Sequence, residues 1–352
     1  MGSRFCLPIL AVVVAMVGGC SATIPGTAGP DTAPVPVTAF GVPVTAADKL
    51  TFDTLDQVRS VDPCGFADRA RLGAEGVISL LGPSIKIDQC AIGFTPNGER
   101  NASYLYIELD HNPPLGSEQT RSIAGESIVV EGPDSYGNCD FKVPLRFPVI
   151  TSGTENADVI EVPTVAYAAV SSSSFDSSEY GCRLAEDIVV EIIEAFRDQR
   201  IPRRSAAVTP ASNIALMTHN PCEIVAALPG TVPLAQLQAD FDPTACSFTT
   251  AGAHMLADPV SVTFNLTRRP LESFSADNRV ITVDGVPVLI YQQPLGQPRC
   301  TETFSAGPEL DPSTGTEDVS GAKVQPVVQI TSSCAVTEQI RPAAMRLFGA
   351  VA

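Results

Sequence analysis

The stretch NPCEIVAALPG, Asn220 to Gly230, echoes DPCGFADRARLG, Asp62 to Gly73, 158 positions earlier. The echo belongs to a longer one: Cys222, Cys246, Cys300 and Cys334 lie 158, 156, 161 and 152 positions beyond Cys64, Cys90, Cys139 and Cys182. Four nearly equal offsets predict an internal duplication of a unit of about 150 residues. The tripeptide itself reads as a helix start. Asp62 and Asn220 are N-cap residue types, and Pro63 and Pro221 suit the first helical position, where a missing N–H costs nothing. Glu223, three residues after Asn220, adds an approximate capping box that Gly65 cannot supply in the first copy.

The segments between the cysteines keep the same register. In SYLYIEL, Leu105, Ile107 and Leu109 alternate onto one face of a strand beginning about 15 residues after Cys90; in VSVTFNLT, Val260, Val262, Phe264 and Leu266 do the same after Cys246. SIVVEG (Ser127 to Gly132) parallels RVITVDG (Arg279 to Gly285), where Asp284-Gly285 between valines signals a hairpin turn. After each fourth cysteine an apolar ladder at four-residue steps predicts a helix: Leu184, Ile188, Ile192, Phe196 in one copy and Val336, Ile340, Ala344, Phe348 in the other. Pro342 falls inside the second ladder and predicts either the first turn of a shorter helix or a kink. The expected fold class is α+β: two homologous domains, residues 48–204 and 205–352, each an antiparallel sheet with an opening and a closing helix and two disulfides.

Four cysteines allow three connectivities per domain. Neighbour pairing is the expectation: Cys64 with Cys90, Cys139 with Cys182, Cys222 with Cys246, and Cys300 with Cys334. The first kind would staple the opening helix to a strand, the second a strand to the closing helix. A zinc site is not expected, since no close Cys-x₂-Cys pair exists and the chain has three histidines. No cofactor is expected.

At 352 residues the chain suits about two domains, and 44% hydrophobic content is ample for packed cores. The formal charge of −17, with no long basic stripe, argues against nucleic acid as a partner. At the N-terminus, Arg4 precedes an apolar run from Phe5 to Val17, too short to span a bilayer and read as an export signal, residues 1–19. VGGC, Val17 to Cys20, resembles a bacterial lipobox, which implies that Cys20 is the lipid attachment site. Residues 20–47, rich in Pro, Thr and Ala, read as a semi-extended tether. The expected location is the outer face of the cytoplasmic membrane, with the lipid anchor as the membrane contact.

Signals for chemistry are sparse. His111, His219 and His254 are the only histidines, and no Gly-x-Ser-x-Gly elbow accompanies them. Ser320-Gly321-Ala322-Lys323 fits Ser-x-x-Lys literally but falls in a loop before a strand, without the helix that lets such a lysine activate the serine. The carboxylates of Asp311 to Asp318 do not alternate as calcium loops require, so no metal site is expected and the segment reads as a solvated loop. Arg197, Arg200, Arg203 and Arg204 suit a helix C-terminus and read as its solvated basic end, with contact to headgroups or the other domain as the other reading. Tyr104 and Tyr106 alternate with Leu105 and Ile107 and so face away from the apolar row. They are the candidate binding surface, with packing under a helix as the other reading of two such rings.

Lipobox, Pro-rich tether, DPC opening a helix, and a second cysteine followed by an apolar strand (CAIGF, CSF) together resemble an actinobacterial family of cell-envelope lipoproteins of unknown function. Members usually carry one such domain, often with Trp after the second cysteine; here there are two copies and no Trp. More distantly the plan is similar to disulfide-stapled extracellular sensor domains of actinobacterial receptor kinases. The resemblance implies ligand or partner sensing. The expected function is therefore a non-enzymatic binding or scaffolding module for an envelope lipid, a wall polymer or glycan, or a protein partner. The alternative is an envelope hydrolase or transferase whose catalytic groups converge from distant parts of the chain.

Overall fold

The computed structural model describes residues 37–349 apart from 85, 100–101, 111–118, 136, 148–166, 174, 176, 208, 240–241, 252–256, 269–270, 272–277, 294–298 and 315–322. Residues 1–19, expected to be an export signal, and Cys20 lie outside the described residues. Among those described, no helix is long and apolar enough to cross a membrane.

The tether is shorter than its composition implies. Strands β1 (Val37–Ala39) and β2 (Val42–Val44) form a hairpin whose turn, Phe40-Gly41, has both residues at positive φ. Ala39 is buried in it. Helix α1 (Ala46–Arg59) follows at once, with the Thr45 side chain accepting from Asp48 N at 3.0 Å. Its buried Phe52, Leu55, Val58 and Arg59 recur every three or four residues along one stripe. Residues 37–47, expected to be semi-extended, thus hold a hairpin and the capped start of α1.

The opening helices are tighter than expected. Pro63–Phe66 and Pro221–Ala227 are 3₁₀ helices. The caps form as the residue types imply: Cys64 N donates to Asp62 Oδ1 at 3.0 Å, Cys222 N to Asn220 Oδ1 at 2.8 Å, and Asn220 N to Glu223 Oε1 at 2.8 Å. What stops each from growing is local. Asp68 caps a new helix, α2 (Arg69–Glu75), and Leu228 precedes Pro229, which disfavours a helical backbone at Leu228.

The first half continues with β3 (Gly76–Gly82), β4 (Gln89–Pro96), β5 (Ser103–Asp110), β6 (Gln119–Ile123), β7 (Glu126–Glu131), β8 (Cys139–Pro144), β9 (Tyr167–Ser173) and α3 (Ser178–Arg197). After short 3₁₀ turns over Arg204–Ala206, Pro210–Ser212 and Ala215–Thr218, the second half adds β10 (Leu234–Gln238), β11 (Ala245–Ala251), β12 (Ala257–Thr267), β13 (Asn278–Val283), β14 (Val286–Gln292), β15 (Arg299–Ser305), β16 (Gln325–Ser333) and α4 (Cys334–Phe348). Two seven-stranded sheets result, ordered β3-β4-β5-β9-β8-β7-β6 and β10-β11-β12-β16-β15-β14-β13, with antiparallel pairing throughout. Counted from its own first strand, each sheet runs first, second, third, seventh, sixth, fifth, fourth.

One face of each sheet is apolar and carries a helix. Helix α3 packs on β8 and β9, burying Leu184, Ile188 and Ile192 against Leu105, Ile107 and Val170, while Phe196 is half-buried. Helix α4 packs on β15 and β16, burying Ile340, Ala344 and Phe348, with Phe348 edge-on to Phe264 at 5.1 Å. It runs through Pro342, so the shorter-helix reading does not hold. The cysteines pair as neighbours, with Cα–Cα distances of 5.1 Å for Cys64–Cys90, 5.3 Å for Cys139–Cys182, 5.1 Å for Cys222–Cys246 and 4.7 Å for Cys300–Cys334. Loops of 24 to 43 residues are closed, each contributing about 3.5–4 kcal/mol on a chain-entropy basis.

The two cores differ at one matched spot. Two residues after the third cysteine of each set stand Phe141 and Glu302; three and seven after the fourth stand Ala185 and Val189, against Thr337 and Arg341. Phe141, Ala185 and Val189 are fully buried hydrocarbon. In the second half Glu302 is 2% exposed and accepts from Arg341 Nη1 at 3.2 Å on both oxygens and from Thr337 Oγ1 at 3.0 Å. Burial holds the Glu302 carboxyl above its ordinary range, against the pull of Arg341 and Thr337.

The carboxylate-rich loop after β15 is not simply solvated. Its start lies along the free edge of β3 in the other half: Leu81 N donates to Pro312 O at 2.9 Å, Thr314 N to Ser79 O at 3.0 Å, and Thr314 Oγ1 to Ile78 O at 2.6 Å. This strap covers an edge that would otherwise present open hydrogen-bonding groups. A Cβ on Gly82 would lie 2.6 Å from Pro312 Cβ, so only glycine admits it. Gly82→Val is expected to cost about 1–3 kcal/mol. Hydrogen exchange should then show lost protection at the Leu81 and Thr314 amides; retained protection there would contradict this account of the edge.

Candidate functional site

Tyr104 and Tyr106 stand on the face of the first sheet opposite α3. Their neighbours across the strands are small: Gly93 and Ser173 beside Tyr104, Ala91 and Ser171 beside Tyr106. This leaves the two rings side by side, centroids 6.1 Å apart and planes 17° apart, both half-exposed. Tyr106 rests on Leu80 and Ala91. Among the described residues no helix packs over the two rings, because α3 takes the other face.

Charge gathers at the rim of this face from both halves. Arg268, just past the end of β12, donates through Nη2 to Ser84 Oγ at 2.6 Å and is close enough to act on the Tyr106 phenol. Burial raises that phenol above its ordinary value, opposed by Ser173 and Arg268. Glu108, two residues on from Tyr106, is ion-paired with Lys86 and accepts from Gln89 Nε2 at 3.2 Å. Gln89 Oε1 is buried with no hydrogen-bond partner among the described residues. The site therefore offers two aromatic rings, a guanidinium and a carboxylate, with the unpartnered Gln89 oxygen sealed beneath it.

Behind it the halves are joined through buried polar groups. Arg204 is 5% exposed and donates to three backbone carbonyls: Arg59 O at 3.1 Å, Ser212 O at 3.3 Å and Ile87 O at 2.9 Å. Arg59 donates to Pro243 O at 2.8 Å and is ion-paired with Asp56. Burial lowers both guanidinium groups to about 10, which leaves them charged at neutral pH. The cap residues of the repeated tripeptide take part with their second side-chain atoms. Asp62 Oδ2 accepts from Ser212 Oγ at 3.2 Å, and Asn220 Nδ2 donates to Asp56 Oδ1 at 2.8 Å. Each therefore caps its own 3₁₀ turn and ties it to the other half. Of the four arginines read from the sequence, Arg204 meets the other half. Arg203 bonds Ser60, Arg200 pairs with Asp198, and Arg197 donates to Ala124 O at 2.5 Å.

Asp88 sits at this junction, 8% exposed. Burial, with repulsion from Glu108 and Asp242, pushes its carboxyl from 3.8 up to about 7. The folded state thus binds a proton that the unfolded chain releases near pH 4. The contribution of Asp88 to stability is fullest below pH 4, falls as pH rises towards 7, and is lost above it. Asp88→Asn should remove that slope, raising stability at pH 8 by at most about 4 kcal/mol. Urea unfolding at pH 5 and pH 8 measures it; equal slopes for wild type and variant would contradict the assignment.

The remaining sequence candidates are dispersed. His219 Nδ1 lies 3.0 Å from Glu223 Oε2, and its ring is edge-on to Phe348 at 5.8 Å, so it is a partly exposed member of the cap. His111, His254 and Ser320 lie outside the described residues. Lys323 pairs with Glu309 at 3.1 Å. Among the described residues no three His, Cys, Asp or Glu come together as a metal site. Comparison with known proteins returns no matching family model, no matching curated protein and no matching solved structure.

Proposed function

We propose that this chain is a membrane-tethered, non-enzymatic binding module of the cell envelope, built by duplication of one four-cysteine α+β domain into units 48–204 and 205–352. The observation that carries the binding reading is the face bearing Tyr104 and Tyr106. It carries no helix among the described residues, is floored by small residues, and is rimmed by Arg268 and Glu108 from different halves. An aromatic surface with a few fixed polar groups is what recognition of a lipid headgroup, glycan or peptide requires. The duplication is supported by the matched strand order and the matched cysteine pairs.

Native mass spectrometry of the lipidated protein from envelope extract tests the binding reading. Wild type should carry a reproducible added mass that Tyr104→Ser/Tyr106→Ser lacks. A wild type without added mass, or a variant that keeps it, counts against this face. Cys20→Ser should move the protein from the membrane fraction to the soluble fraction, and retention in the membrane would contradict the anchor.

A further inference from the structure

The outward face of the second sheet carries a straight row of polar side chains that crosses six strands. Following the pairing register from β11 to β13, Ser247 lies opposite Ser261, then Thr331, Thr301, Tyr291 and Asn278. Every position in the row bears a hydroxyl or an amide, and none bears a carboxylate, an amine or a guanidinium. All are half-exposed or, for Tyr291, exposed. Thr301 and Thr331 share a hydrogen bond at 3.0 Å, which uses one of their two hydroxyl protons and leaves the other for a ligand.

At one end of the row the surface turns apolar. Tyr291 is 39% exposed and Val280 38%, placed diagonally to each other on β14 and β13. Large exposed apolar side chains beside a hydroxyl row suit a partner that is itself amphipathic, with an apolar ring face and a hydroxyl rim.

We propose that this face binds a single extended chain of a neutral glycan. Three arguments select that occupant. The chain carries a formal charge of −17, so a polyanion is repelled. The row has no carboxylate with which to hold a polycation. The step between strands, roughly 4.8 Å, is close to the rise of one residue in an extended β-linked glycan, so successive sugars meet successive side chains. The sheet's twist, about 20° per strand, excludes a flat crystalline polymer and leaves a flexible single chain. The inference rests on the reading of the protein as a binding module, but not on the Tyr104/Tyr106 face.

Titration of the full chain with soluble cellohexaose and chitohexaose, followed by calorimetry, tests it. Saturable binding of at least one is expected, unchanged between low and high salt and much weaker for the corresponding disaccharide. Thr301→Val/Thr331→Val replaces two hydroxyls by methyls on β-branched side chains that strands accept. That variant and Tyr291→Ala should each weaken binding at least tenfold. No saturable binding of either hexasaccharide by wild type overturns the inference. Loss of binding in Tyr104→Ala/Tyr106→Ala with none in Thr301→Val/Thr331→Val also overturns it, while leaving the binding-module reading intact. Hexasaccharide binding by wild type together with a failed mass-spectrometry test would remove the Tyr104/Tyr106 face and keep this one.

Discussion

Replacing Glu302 by leucine should destabilise the protein by about 3–5 kcal/mol, because it leaves the Arg341 guanidinium buried without its counter-charge. The pair is held at 3.2 Å with side-chain exposures of 11% for Arg341 and 3% for Glu302, so water cannot take over the lost contacts. The informative companion is the triple exchange Glu302→Phe, Thr337→Ala, Arg341→Val, which installs the apolar set of the first half. Removing a buried ion pair and its hydroxyl together deletes the desolvation cost along with the attraction, and such exchanges are often neutral or stabilising by about 1–4 kcal/mol. Urea unfolding of the three proteins decides the matter. A triple variant as unstable as Glu302→Leu would show that the matched positions are not packed alike.

Arg204→Met should cost about 3–5 kcal/mol and should also change the shape of the transition. Methionine fills part of the volume but leaves the carbonyls of Arg59, Ser212 and Ile87 without the donor that now reaches all three. Arg204→Lys is expected to rescue little, since an ammonium cannot reproduce a planar fork aimed at three acceptors. With the junction weakened, the halves should unfold in two steps where wild type unfolds in one. A cost below about 1 kcal/mol with a single sharp transition would place the cohesion elsewhere, in the strap from Pro312 to Thr314 or in α1.

Much of the scaffold was legible because it depends on neighbours in sequence. Alternation put Leu105, Ile107 and Leu109 on one face, and a four-residue ladder put Leu184, Ile188 and Ile192 on another. Cap residues announced both 3₁₀ turns. Helix α1 was equally legible, from Thr45, Asp48 and the Phe52, Leu55, Val58 stripe, but the reading of the sequence placed no element over residues 48–59. In the candidate site only Tyr104 and Tyr106 were readable, by default, as the side of β5 that the core did not claim. Arg268 and Ser84 carry no local signal, since they are 184 positions apart and meet only when the halves dock.

The sequence by itself determined the strand faces, the closing helices and the local caps, all of them set by short spacings and side-chain periodicity, while the cysteine pairing, one of three connectivities per domain, was decided by the tertiary structure. Tertiary structure alone decided what lies across the junction: that Asp62 and Asn220 reach over to Ser212 and Asp56, that Arg204 is buried, and that a loop of the second half closes the β3 edge. It also decided that Ser247, Ser261, Thr331, Thr301, Tyr291 and Asn278 form one row, because residues scattered over 85 positions are aligned only by hydrogen-bond register between strands. Periodicity tells which side of a strand a residue faces; only pairing tells what stands beside it.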